Sequence, residues 1–236
     1  MRILVFDTET TGLPKSKIID CDTLNLHPYI VQFSYVIYDT NFNDIVEKFD
    51  EIVNLQDTIN ISEESTKIHG ITNDICKKNG INIELILDKF FNDFENIDFL
   101  VGHNISFDIN MVEVELLRLI NYNQKYCNFH DSIFRIKHFE DNLKFLKSFK
   151  NIYCTLKESI DFCKIKTISK YGKEYNKFPK LNELHNKLFE IEPNKLHNSF
   201  NDVLVTLRCF MKLKYNIDLN DNCNIFQKFC IELEIL

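Results

Sequence analysis

Hydrophobic positions along this chain follow two rhythms, and the first to appear is that of a strand. Ile3, Leu4, Val5 and Phe6 run without a break before Asp7, and residues 2–9 read as a strand. "YIVQFSYVIYD" (29–39) has the β-branched and aromatic content of a second strand, and "DIVEKFDEIVN" (44–54) is compatible with a third, antiparallel one. Residues 15–28 between the first two strands read as a loop. A helix is expected from an N-cap at Ser62 to a stop at Gly70, and another around 83–95. "DFLVGHN" is a short strand turning at Gly102. From Ser106 onward, Phe107, Met111, Val114, Leu117 and Leu119 take up helical spacing. A strand at 151–155 precedes helices near 156–164, 181–190 and 199–214, and 221–236 forms a last helix. The stretch 123–150 has no clean period and is read as a partly helical, variable insertion. Three strands in succession, then strands alternating with helices, imply an α/β fold with a mixed sheet flanked by helices.

Composition narrows the class. The chain has 236 residues, 44% of them hydrophobic, with 21 Phe but only 5 Gly and 4 Pro. That is a folded chain with short connections and a sizeable core. Four apolar residues before Asp7 are too few for a signal peptide, and no stretch reaches the length of a membrane span, so an intracellular protein without membrane contact is expected. Eight cysteines show no C-x-x-C pairing and read as free thiols, which leaves a thiol-redox role last among the candidates. A net charge of −7 argues against broad electrostatic coating of a polyanion.

The chemistry begins at "FDTETTG" (6–12). Strand alternation puts Asp7 and Glu9 on one face, where two carboxylates repel unless protonated or bridged by a cation. Two more acids stand near helix starts: Asp108 in "GHNISFDINM" and Asp202 in "HNSFNDVLVTL". Taken singly, an acid in a first turn complements the helix dipole, and Ser199-x-x-Asp202 matches a capping box. Taken together, four acids bordering one end of a sheet make a site that needs divalent cations, and hard carboxylate oxygens suit Mg²⁺ or Mn²⁺. His197, five residues before Asp202 and placed on the preceding loop, adds a near-neutral proton acceptor suited to a general base.

"FDTETTG", "GHNISFD" and "HNSFND" resemble, in order and spacing, the three motifs of the DEDDh group of 3′-to-5′ exonucleases, the DnaQ-like family of the ribonuclease H-like fold. His197 and Asp202 match its H-x-x-x-x-D signature, and "YIVQFSYVIYD", "KIHGIT", "YCTLKESIDFCKI" and "KFPKLNELHNKLF" are similar to intervening family segments. The resemblance covers about 1–212 and implies a single exonuclease domain over 1–236, with a five-stranded sheet and a C-terminal helical extension at 215–236. It implies that Asp7, Glu9, Asp108 and Asp202 ligate two Mg²⁺ ions, for which Mn²⁺ can substitute, while His197 takes the proton of the attacking water. It also implies nucleotide contacts from Thr10, Thr11, Gly12, Leu13, Asn104 and Phe107; Leu13 and Phe107 could equally be core. His103 and His69 are expected to orient loops. Ser199 stands where many relatives carry a small apolar residue.

The leading expectation is hydrolysis of DNA 3′ ends, single-stranded or frayed, in repair or in proofreading beside a DNA polymerase or other replication partner. Short RNA or RNA 3′ tails come second, because that discrimination rests on a few contacts to the 2′-hydroxyl. A non-catalytic nucleic-acid-binding subunit comes third, since such a subunit has no use for self-repelling acids.

Overall fold

The computed structural model describes residues 1–126 and 129–236. Its centre is a five-stranded sheet built from β1 (Arg2–Thr10), β2 (Ile30–Asp39), β3 (Asp44–Ile52), β4 (Phe99–Gly102) and β5 (Ile152–Cys154), in the order β3-β2-β1-β4-β5. β1 pairs antiparallel with β2 and parallel with β4; β3 extends the antiparallel side and β5 the parallel side. This is the expected ribonuclease H-like α/β arrangement. The unbroken apolar run puts β1 in the middle, with Ile3, Leu4, Val5 and Phe6 fully buried.

Alternation then sorts the side chains by face. Leu4 and Phe6 join the core beneath α3 (Ile83–Phe94), α4 (Ser106–Tyr126) and α5 (Phe129–Ser148). Ile3 and Val5 join the core beneath α8 (Leu181–Phe189), α9 (Ser199–Tyr215), α10 (Leu219–Asn222) and α11 (Asn224–Leu233). Extending that alternation aims Asp7 and Glu9 toward α9 and Thr8 toward α4.

The remaining elements connect these layers. α1 (Glu63–His69) is capped by the Ser62 hydroxyl, which accepts from the Ser65 N–H, and ends at Gly70 in the left-handed region, as expected. α2 (Asn73–Asn79), which the hydrophobic pattern did not signal, follows it and ends at Gly80. A Cβ at Gly80 would stand 2.3 Å from the Cys76 carbonyl oxygen and 2.5 Å from the Asn54 nitrogen, so only glycine fits where the chain crosses the end of β3. The expected helix at 156–164 is two short ones, α6 (Thr155–Glu158) and α7 (Ile160–Cys163), divided at Ser159, whose hydroxyl turns back to the Thr155 carbonyl. A two-stranded hairpin, β6 (Lys166–Ile168) and β7 (Glu174–Asn176), was also not anticipated.

Residues 123–150, expected to be only partly helical, are helical over nearly all of the described part. α4 runs on to Tyr126, and α5 packs against it. Ile136, Phe139, Leu143 and Leu146 supply the apolar stripe of α5, while buried Glu115 and Asn123 break the apolar rhythm of α4. The loop before β2 contains one 3₁₀ turn (Leu24–Leu26), is tied internally by Thr23 and His27 to the Ile18 carbonyl, and is gripped from α4 by one side chain. The Arg118 guanidinium donates to the carbonyl oxygens of Leu24 (3.0 Å), His27 (2.7 Å) and Pro28 (3.1 Å), pairs with Glu115 at 2.7 Å and lies over the Tyr29 ring. The seven described cysteines are free, six of them buried. Among the described residues, no helix is long and apolar enough to cross a membrane.

Candidate active site

At the C-terminal end of β1 the sheet brings three of the four expected acids together. Carboxylate oxygens of Asp7, Glu9 and Asp202 lie within 4.8 Å of one another, the first two from β1 and the third from the first turn of α9. The register of β1 against β2 shifts between Glu9 and Thr10, so the strand kinks just beyond the paired acids.

Asp108 arrives from the opposite face of the sheet. It is buried in the first turn of α4, and its Oδ1 accepts from the Thr8 N–H at 3.0 Å and the Thr8 hydroxyl at 2.8 Å. Thr8 therefore positions this acid beside the other three, a role that sequence spacing did not reveal because it depends on which helix covers each face of β1.

The electrostatics follow from burial without a counter-charge. Burial, with Asp108, Asp202 and Glu9 close by, holds the Asp7 carboxyl well above the usual carboxylate range. Burial, reinforced by Asp202 and Asp108, pushes Glu9 up to about 8. Burial also raises Asp108 to about 7 against the pull of its two Thr8 hydrogen bonds, and Asp202 to about 7 against the His197 N–H. Four acids that prefer to be neutral, offering hard oxygen ligands only, fit a divalent cation: binding supplies the charge that their surroundings withhold.

His197 stands on the loop before α9, exposed and in the left-handed region (φ 67°). Its backbone N–H reaches both Asp202 carboxylate oxygens at 3.3 Å, so the loop is tied to the acid while the imidazole makes no hydrogen bond among the described residues. An open cleft of about 580 Å³ lies beside it, with Lys67, Ile68, His69 and Gly70 on one wall and Lys195, Leu196, His197 and Asn198 on the other. A larger cavity of about 900 Å³, around Tyr29, Glu115, Arg118 and Tyr122, contains none of the four acids or His197.

The expected cap of α9 is corrected by one residue. Asn198 is the N-cap, its side chain accepting from the N–H groups of Phe200 and Asn201. Ser199 is fully buried and its hydroxyl lies 2.5 Å from that of Ser34 on β2, which donates to Asp50. Gln32 accepts from the Ser199 N–H, so β2 fixes the start of the helix that carries Asp202.

The candidate nucleotide contacts are arranged around the same end of the sheet. The Thr10 hydroxyl donates to the Gly12 carbonyl, and the Thr11 hydroxyl accepts from the Tyr29 N–H, so both fasten the 10–12 turn. Leu13 is 80% exposed and is not core; Phe107 is half-buried against the α4 side of the core; Asn104 is exposed with φ 69°. His69 and His103 hold loops, as expected. The Ile71 N–H donates to His69 Nδ1, so Nε2 carries the proton toward the Thr10 carbonyl at 3.2 Å. His103 joins Thr155 to the Pro179 carbonyl, and burial lowers its pKa to about 4, so it is neutral there.

A mixed sheet with a half-buried carboxylate cluster at the end of its central strand is the arrangement of the ribonuclease H-like nucleases as a class. The RNase_T family, described as exonuclease, matches residues 4–210, and the chain belongs to that family, in its DnaQ-like DEDDh group. It is 31% identical over 135 residues to the DNA polymerase III subunit epsilon of Buchnera aphidicola subsp. Schizaphis graminum, a match covering 56% of this chain and 54% of that one. In fold it is similar to E. coli Exonuclease I in complex with a 5cy-dT13 oligonucleotide, with a TM-score of 0.57 and 15% identity over 98% of this chain and 43% of that one. Exonuclease I from Methylocaldum szegediense gives a TM-score of 0.58 and 13% identity over 93% and 42%. The chain thus spans about half the length of the curated relative it matches, and less of these structural neighbours.

Proposed function

We propose that this chain is a metal-dependent 3′-to-5′ exonuclease that releases nucleoside 5′-monophosphates from DNA, preferring single-stranded or frayed ends. The observation that carries the reading is the group of Asp7, Glu9 and Asp202 carboxylates within 4.8 Å, with Asp108 held beside it. These residues would hold Mg²⁺, two ions by family resemblance, with Mn²⁺ able to substitute. Bound there, such ions supply Lewis-acid charge that lowers the pKa of the attacking water and steadies the leaving oxygen.

The chain's own groups do the rest. The His197 imidazole accepts the water's proton as the water oxygen bonds to phosphorus. The bond from phosphorus to the 3′ oxygen breaks, and that oxygen takes a proton from solvent. Asp202 holds the His197 loop in reach through the backbone N–H. Leu13 and Phe107 offer apolar surface to the terminal base, Asn104 stands near its phosphate, and the backbone of Thr10, Thr11 and Gly12 borders the sugar. Stacking on Phe107 tolerates any base, which suits repeated removal of nucleotides. Residues 1–236 act as one exonuclease unit, with 123–150 an inserted element and 215–236 a helical extension. Similarity to an epsilon subunit supports proofreading beside a polymerase, inside the cell.

The test is a gel assay with 5′-labelled single-stranded DNA and matched RNA in Mg²⁺, beside Asp7→Ala and a chelator control. The expected result is a one-nucleotide ladder on DNA that disappears in the variant and in EDTA and returns with Mn²⁺. A ladder on RNA alone would move the substrate to RNA 3′ ends. Full activity of Asp7→Ala, or indifference to EDTA, would overturn the metal assignment.

A further inference from the structure

The unanticipated hairpin carries more chemistry than a connection needs. Residues 164–180, "KIKTISKYGKEYNKFPK", hold six lysines against one acid, in a chain whose net charge is −7. Glu174 pairs with Lys166, and Glu183 of α8 pairs with Lys177. Lys164, Lys170 and Lys173 are exposed and form no ion pair among the described residues, while Lys180, also exposed, lies near Glu183. The same ribbon leaves aromatic and apolar side chains in solvent: Tyr171 is 84% exposed, Ile168 70%, Phe178 57% and Tyr175 48%.

The geometry makes this a presented surface. β6 and β7 pair only with each other, Thr167 opposite Tyr175. The tip is set by Gly172 at φ 80°, with the Gly172 N–H on the Ser169 carbonyl and the Lys173 N–H on the Ser169 hydroxyl. Lys170, Tyr171 and Lys173 are thereby turned out together, the Lys170 ammonium 5.0 Å from the Tyr171 ring centroid. The root closes where the Lys177 N–H meets the Ile165 carbonyl. Next to it, the Pro179 carbonyl lies 3.1 Å from His103 Nε2, on the loop that leads to Asn104 and Asp108. The hairpin is therefore anchored to the rim of the candidate active site.

We propose that this hairpin is a second contact for the substrate strand: its lysines take backbone phosphates and its tyrosines stack bases upstream of the 3′ nucleotide. The inference rests on the exonuclease reading and adds where the strand runs on leaving the site. Lysine interleaved with exposed aromatic residues is the chemistry of sequence-tolerant single-strand binding, and a patch so positive in an acidic chain steers a polyanion to one place.

The experiment uses the full chain with Lys170→Ala/Lys173→Ala and, separately, Tyr171→Ala, all exposed positions whose folding is checked by melting. Two substrates are compared: thymidine 5′-monophosphate p-nitrophenyl ester, which fills only the catalytic site, and single strands of roughly 20 nucleotides, as dT and as rU, long enough to span both contacts. Ester hydrolysis is expected to stay at the parental rate in every variant. The double lysine variant is expected to raise KM for the long strand about tenfold. Because it removes two ammonium groups that each neutralise a phosphate, it should also reduce the salt slope of binding by about 1.4. Tyr171→Ala is expected to raise KM with the slope unchanged. Long-strand affinity within twofold of the parent in both variants would overturn the interface and leave the hairpin to a protein partner. A fall in ester hydrolysis would overturn it too, by showing that the hairpin acts through the shape of the site. If the parent does not hydrolyse the ester or either strand, the exonuclease reading fails instead. Comparison of the dT and rU arms shows which strand the hairpin favours.

Discussion

Replacing Asp202 by Asn should make the metal-free protein more stable at alkaline pH, although the residue belongs to the proposed metal set. The side chain keeps its shape and an acceptor for the His197 N–H, now at 3.3 Å, and loses only its charge. The rise of Asp202 from its ordinary 3.8 to about 7 sets a ceiling of about 4 kcal/mol on what ionising it costs the fold, at 1.4 kcal/mol per pH unit. The side chain is half-buried, so water screens much of this, and a gain of about 1–2 kcal/mol is expected at pH 8. For a chain of this size that is about 3–6 °C in Tm.

The sign depends on pH. Between about pH 4 and 7 the folded Asp202 keeps its proton and the unfolded one does not, so the parent loses stability as pH rises through that window, and the loss levels off above it. The variant has no such loss at this position, so its advantage is absent at pH 4 and complete by pH 8. Burial lowers His103 and His185 to about 4, which makes them act in the opposite direction between pH 4 and 6.5, but they cancel when variant and parent are compared. The assay is calorimetric melting in EDTA at pH 4, 6 and 8, repeated with Mg²⁺. Magnesium should raise the parent's Tm at pH 8 and narrow the gap. A variant that melts below the parent at pH 8, or above it equally at pH 4 and 8, would refute the argument that uncompensated charge destabilises this site.

Three further outcomes follow from the same contacts. His197→Gln should lower kcat about 100-fold with KM within threefold; a parental kcat would dismiss the imidazole as base. Ser34→Ala should cost about 1–2 kcal/mol by stranding the buried Ser199 hydroxyl, Ser199→Ala should cost less because Ser34 keeps its bond to Asp50, and the double variant should cost less than the sum. Strict additivity in urea unfolding would mean that the two hydroxyls do not interact. Gly80→Ala should cost about 2–4 kcal/mol, because its Cβ would fall on backbone atoms 2.3–2.6 Å away; an unchanged melting curve would refute that close approach.

What the sequence disclosed followed the range of the interactions involved. Asp7 and Glu9 were legible because the period of a strand alone puts them on one face. The β-branched content of 30–39 likewise left little choice for β2. Ser199 misled as a cap because its hydroxyl is taken by Ser34, 165 positions earlier in the chain, leaving Asn198 to cap α9. Thr8 carried no signal: an inward threonine in a strand is ordinary until Asp108 is found opposite it. The stripe Ile136, Phe139, Leu143 and Leu146 does have helical spacing, and the polar residues buried along neighbouring α4 hid how the two helices pair. The 166–176 ribbon has strands of three residues, too short for alternation to register.

Arg118 grips the stretch from Leu24 to Pro28 only through carbonyl oxygens, which every amino acid provides. The path of these five residues is therefore written partly in helix α4, beside the loop's own Thr23 and His27 contacts to the Ile18 carbonyl. Exposed positions such as Asn25 and Leu26 are free to drift over evolutionary time, or to be randomised in a library, while the backbone holds its course. Arg118 itself has no such latitude, since lysine cannot reach three carbonyls and a carboxylate at once. One side chain can thus license variation at exposed neighbours, leaving a place to acquire new surface without disturbing the strand that carries the acids.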